Sequence, residues 1–77
     1  MKIEILGSGC PKCNQLYENV QEAVRVIGKD AEVIKVDDIR KITEYGIMMT
    51  PGLVVDGEVK TVGKVLSSEE IKTIISG

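Results

Sequence analysis

The 77-residue chain contains no Phe, no Trp and no His, and only two Cys, two Pro and two Tyr. With two cysteines and no histidine it cannot by itself close a four-ligand N/S zinc site. Two cysteines are also too few for the disulfide framework of a small secreted protein. No segment approaches the roughly 18 apolar residues that a membrane helix needs. Met1 to Gly7 is too poor in apolar residues for a signal-peptide core. Ten Lys and Arg are mixed along the chain with twelve Asp and Glu, for a formal net charge of −2. That balance gives no basic footprint for nucleic acid and no polybasic patch for a membrane. The expectation is a cytoplasmic protein of one domain, residues 1–77, acting as a monomer. Hydrophobic residues make up 43% of the chain, enough for a core built from Ile, Val and Leu. A chain this short buries only about 60% of the surface its unfolded form exposes.

Lys2 to Leu6 reads as a strand, with Ile3 and Ile5 alternating with Lys2 and Glu4. Gly7-Ser8-Gly9 reads as a flexible loop. A helix starts near Cys10, with Pro11 at the first helical position, where its missing N–H costs nothing. Cys13, Leu16, Tyr17, Val20, Ala23, Val24 and Ile27 form one apolar stripe, and Gly28 stops the helix. Ala31 to Val36 reads as a second, largely buried strand. Asp37 or Asp38 caps a short helix through Tyr45, with Ile39 and Ile42 on its inner side. Arg40 and Lys41 read as its solvated face. Leu53 to Val55 and Val59 to Val62 flank Asp56-Gly57, which suits a hairpin turn with positive φ at both central residues. Ser67 and Glu70 have the spacing of a capping box ahead of Ile71, Ile74 and Ile75. The order β-α-β-α-β-β-α predicts an α/β fold with a four-stranded mixed sheet flanked by helices. Its first two strands are parallel, its last two antiparallel, and the first strand is central.

Chemistry concentrates in Cys10-Pro11-Lys12-Cys13, placed where a strand gives way to a helix. A thiol at a helix N-terminus faces unpaired N–H groups and the positive end of the helix dipole, both of which favour the thiolate. Cys10 is therefore the expected nucleophile. Cys13, one turn further along and inward, is placed to resolve a mixed disulfide on Cys10. Lys12 adds a nearby positive charge of weak effect. Two other readings stand beside this one. One is a structural crosslink, which would constrain little over so short a loop. The other is soft-metal binding, with a four-thiolate site shared between two chains. A c-type haem site is excluded, because Asn14 stands where His is required.

A Cys-x-x-Cys after the first strand and Thr50-Pro51 opening a hairpin together resemble the thioredoxin superfamily, over nearly the whole chain. Ser8-Gly9-Cys10-Pro11-Lys12-Cys13 is more similar to the glutaredoxin loop than to that of thioredoxin. The segment from Thr50 to Gly57 resembles the small microbial thioredoxin–glutaredoxin hybrids. The resemblance implies a thioredoxin-like fold and a cis Thr50-Pro51 bond beside the cysteines, with the backbone of Thr50 pairing with a bound partner. Pro11, Lys12, Thr50 and Pro51 are the expected substrate contacts.

Thioredoxins also carry a buried acid six residues before the first Cys, a position Glu4 fills, where it would take the proton of Cys13. Its alternation with Ile3 and Ile5 points instead to a solvated strand residue, and that is the reading taken. Met48 and Met49, ahead of the Thr50-Pro51 loop, could form a soft apolar rim for partner docking, but core filling is the reading taken. The glutaredoxin Gly-Gly-Asp element that helps hold glutathione is replaced by Val62-Gly63-Lys64, which favours protein disulfides as substrates. No bound cofactor is implied, only the Cys10–Cys13 disulfide, and a thioredoxin-reductase-type donor, flavin- or iron-based, would recharge it. Copper carriers also place Cys-x-x-Cys after a first strand, but their order is β-α-β-β-α-β. They carry Met two residues before the first Cys, where this chain has Ser8.

Overall fold

Ile3 and Ile5 point to one side of the first strand and Leu6 to the other, so both faces demand cover. The computed structural model describes residues 1–7, 11–28 and 30–76. Its elements are β1 (Lys2–Leu6), α1 (Pro11–Ile27), β2 (Glu32–Val36), α2 (Ile39–Glu44), β3 (Gly52–Val55), β4 (Glu58–Val62) and α3 (Ser68–Ser76). Among the described residues the sheet order is β2-β1-β3-β4. β1 pairs parallel with β2 and antiparallel with β3, and β3 pairs antiparallel with β4. The central position satisfies the β1 backbone on both edges and buries Ile3, Ile5 and Leu6. This is the α/β arrangement expected above, and its element order is not that of the copper carriers.

Two apolar layers follow from the period-2 alternation of the strands. On one face Ile3, Ile5, Leu53 and Val55 pack against Leu16, Val20 and Ala23 of α1 and Ile71 and Ile75 of α3. On the other, Leu6, Val36 and Val54 pack against Ile42 of α2 and against Ile47 beyond it. Asn19 Nδ2 donates to the Leu66 carbonyl at 2.8 Å, tying α1 to the turn before α3.

The local signals act where they were read. Asp56 and Gly57 have φ of 51° and 82°, the positive pair the hairpin turn requires. Asp38 caps α2, its carboxylate accepting from Arg40 N–H at 2.9 Å. In the capping box Glu70 N–H donates to Ser67 Oγ at 3.2 Å, and Ser67 N–H donates to Glu70 Oε1 at 3.1 Å.

Three expectations are corrected. β2 is not largely buried: it is an edge strand, and of its residues only Val36 is fully covered. Ile39 is not on the inner side of α2 but 75% exposed. The helix spans only six residues, and Ile42 with the following Ile47 already fills its contact with the sheet. Met48 and Met49 are not core filling either, being 97% and 64% exposed. Gly46, at φ +73°, turns the chain after α2 so that Ile47 takes the inward position and Met48 faces out.

Candidate active site

The end of β1 and the start of α1 build the site. Gly7 N–H donates to the Val36 carbonyl at 2.9 Å, which carries the β1–β2 pairing one residue past the strand. Pro11 is the first residue of α1, so the helix N-terminus opens where the motif predicts. Pro11 and Lys12 are exposed. Cys13 is 4% exposed, on the inward side of the first turn. Ser8, Gly9 and Cys10 lie outside the described residues, so the Gly7-Ser8-Gly9 loop is described only at Gly7. The assignment of Cys10 as nucleophile, and its pairing with Cys13, concern an atom outside that set.

Gly7 was read as part of a flexible loop, and its role comes only from the fold. A Cβ built on it would collide with Cys13 Sγ and stand 3.2 Å from Cys13 Cβ and 3.5 Å from Thr50 Cβ. The bare glycine therefore lets the cysteine helix and the Thr50 loop close on the end of β1. Nothing in the local sequence marks this, because the crowding atoms come from residues 13 and 50.

The Thr50–Pro51 bond is cis, the isomer the resemblance implies. Pro51 is fully buried, and its carbonyl accepts from Gly63 N–H at 2.7 Å. Thr50 is exposed. Met49 lies against Gly63, its Cε 3.3 Å from the position of a Cβ there. Between α2 and this loop is an open cavity of about 450 Å³ lined by Ile39, Ile42, Ile47, Met48 and Thr50, with Asp37 and Thr43. The residues of the Thr50 loop and the N-terminus of α1 thus come together at one end of the sheet, with apolar side chains beside them.

Tyr17 is half-buried against the α1 layer, with Lys35 Nζ 4.4 Å above its ring. Lys35 Nζ also donates to Asn14 Oδ1 at 3.3 Å. Both contacts hold the first turns of α1 to β2.

Glu4 is a further correction. It is not solvated but 7% exposed. Its side chain shares a face with Leu6, the face α2 covers, and Tyr45 Oη donates to Glu4 Oε1 at 2.9 Å. Alternation alone could not show that this face is roofed by a helix from residues 39–44.

The fold agrees with known proteins. Residues 1–76 match the family model described as a thioredoxin domain. The chain belongs to the thioredoxin family. It is 50% identical to a thioredoxin of Methanothermobacter thermautotrophicus over 76 residues, 99% of each chain. It is 51% identical to a thioredoxin of Methanocaldococcus jannaschii over 70 residues, 91% of this chain and 80% of that one. A solved structure described as a malarial protein aligns with a TM-score of 0.74 at 15% identity, over 97% of this chain and 92% of that one, a likeness of fold. Membership makes the chain a protein disulfide oxidoreductase of thioredoxin type. No helix among its described residues is long and apolar enough to cross a membrane.

The Tyr45 phenol is held above its ordinary pKa, first by its hydrogen bond to Glu4, then by burial and by the negative charges of Glu4 and Glu44. A raised folded-state pKa means that the folded chain keeps this proton more tightly than the unfolded one. The associated stability is fully present below the unfolded phenol value of about 10 and is lost as pH rises through the folded value. Urea midpoints measured across that alkaline range are expected to fall for the parent chain and to fall less for Tyr45→Phe. Equal slopes would show that the bond does not outlast the unfolded phenol's titration.

Proposed function

We propose that the chain reduces protein disulfides by dithiol–disulfide exchange through Cys10 and Cys13. The Cys10 thiolate attacks one sulfur of the substrate disulfide, and the other substrate sulfur leaves as a thiolate that takes up a proton. Cys13 then gives up its proton and attacks the Cys10 sulfur. The second substrate sulfur departs, and the chain is left as the Cys10–Cys13 disulfide with two electrons passed on. A thioredoxin-reductase-type donor, flavin- or iron-based, returns the pair to dithiol. No bound cofactor takes part, and the chain works as a cytoplasmic monomer.

The observation that supports this most is the convergence of Cys13, Gly7 and Thr50 at one end of the sheet. Exposed Thr50 offers backbone N–H and C=O to an extended segment of the partner, on the same end of the sheet as Cys13. Pro11 and Lys12 lie between the two cysteines in sequence, exposed at the start of α1. Met48 and Met49 give the same end a soft, adaptable apolar rim. A protein partner suits such a surface better than a low-mass thiol.

A thiol-trapping redox titration in metal-free buffer tests the reading. The expected result is one reversible two-electron couple between about −300 and −120 mV. Absence of a couple in that window, with Cu(I) or Zn retained by the thiolates, would replace exchange by metal carriage.

A further inference from the structure

We infer that Glu4 is a positioning residue for the Thr50 loop, acting through Tyr45, and not the proton acceptor of Cys13. The inference rests on the docking role proposed for Thr50. Glu4 sits mid-strand in the centre of the sheet, opposite Ile34 of β2 and Val54 of β3. Its backbone is fixed on both edges, so its carboxylate is a stationary anchor. The donor it holds is Tyr45, the C-cap of α2, 41 residues away in sequence.

Tyr45 is where the chain leaves α2 for the site. Residues 46–51 carry no helix or strand before β3. Ile47 is buried against the sheet, close to Gly52 and the Leu6 layer. Met48, Met49 and Thr50 are exposed. The far end is tied at Pro51 by Gly63 N–H. Backbone bonds from Gly46 N–H to the Thr43 carbonyl at 2.8 Å and from Ile47 N–H to the Ile42 carbonyl at 3.5 Å tie the segment's start to α2, and the Tyr45–Glu4 bond ties that end of α2 to the sheet. β1 serves as common reference: Gly7 sets the approach of Cys13, and Glu4 sets the start of the Thr50 loop.

The same geometry separates Glu4 from Cys13. Glu4 faces the α2 side, whereas Cys13 belongs to α1 on the opposite face. Along the strand, Glu4 is three residues from Gly7, roughly 10 Å. The cavity beside the pair is lined by Lys2, Lys41 and Glu44, not by the cysteine helix.

Three variants decide it: Tyr45→Phe, Glu4→Ala and Glu4→Gln. The amide oxygen of Gln still accepts from Tyr45, so Glu4→Gln retains the anchor without a titrating acid. Tyr45→Phe and Glu4→Ala are expected to raise KM for a disulfide-bonded protein substrate by about three- to tenfold, the worth of one hydrogen bond. The rate with a low-mass disulfide stays at the parent level. Amide hydrogen exchange at residues 47–50 speeds up in those two variants and stays at the parent level in Glu4→Gln, whose pH–rate profile is also unchanged. An altered pH–rate profile with both substrates in Glu4→Gln would make Glu4 the proton acceptor. Unchanged KM and exchange in Tyr45→Phe would remove the positioning role. Should the parent chain reduce neither disulfide, the proposed function fails, and amide exchange alone still decides whether Glu4 holds the loop.

Discussion

Cys13→Ser is expected to turn the chain from a catalyst into a trap. Under the proposed assignment Cys10, the residue before Pro11 in the sequence, still supplies the attacking thiolate. It therefore still attacks a substrate disulfide. A serine hydroxyl at position 13 cannot displace sulfur from the mixed disulfide, so turnover ends after one attack. The multiple-turnover rate falls to background, and a covalent adduct between chain and substrate accumulates. The reciprocal variant, Cys10→Ser, loses both turnover and adduct, because Cys13 is 4% exposed and cannot reach an incoming disulfide. Mass spectrometry of the quenched mixtures reads both outcomes. An adduct formed by Cys10→Ser and absent in Cys13→Ser would invert the two roles.

Gly7→Ala should damage both the stability and the proposed site. The backbone conformation at Gly7 is one that any residue adopts, so the glycine is there for space. The added methyl meets Cys13 Sγ and stands 3.2 Å from Cys13 Cβ. Rotating the sulfur away does not relieve the second contact, and the buried position leaves Cys13 no outward escape. Either the first turn of α1 lifts or the end of β1 bends, and each disturbs the approach of Thr50, 3.5 Å from the same methyl. Overpacking of this kind costs about 1–3 kcal/mol, a large share of the stability of so small a domain. Urea unfolding is expected to show that loss, and protein-disulfide reduction should fall with it. The rate should fall further than the folded fraction does, since the methyl sits between Cys13 and Thr50, the proposed resolving and docking residues. A variant with parent stability and parent rate would show that the end of β1 has room to spare.

Much of the fold was legible because its signals are local. Asp56-Gly57 makes its turn from two residues' own φ preferences, and Ser67 with Glu70 caps α3 across three residues. Asp38 caps α2 across two, and the stripe from Cys13 to Ile27 fixes which side of α1 is inward. The proposed redox motif, Cys10-Pro11-Lys12-Cys13, was legible for the same reason. A strand end followed by a proline-led helix is written in consecutive residues.

The sequence by itself therefore determined the element order, the caps and turns, and where the redox motif is proposed. What tertiary structure decided is how each element's second face is covered. Glu4 looks solvated beside Ile3 and Ile5 until α2 roofs the far side of β1 and brings Tyr45 to it. Ile39, Met48 and Met49 look like core until Ile42 and Ile47 are seen to fill that layer. Gly7 looks like loop slack until Cys13 and Thr50 close on it. In each case the deciding neighbour is brought in by packing from another part of the chain, and hydrophobic patterning, which records only a residue's own preference, carries no trace of it.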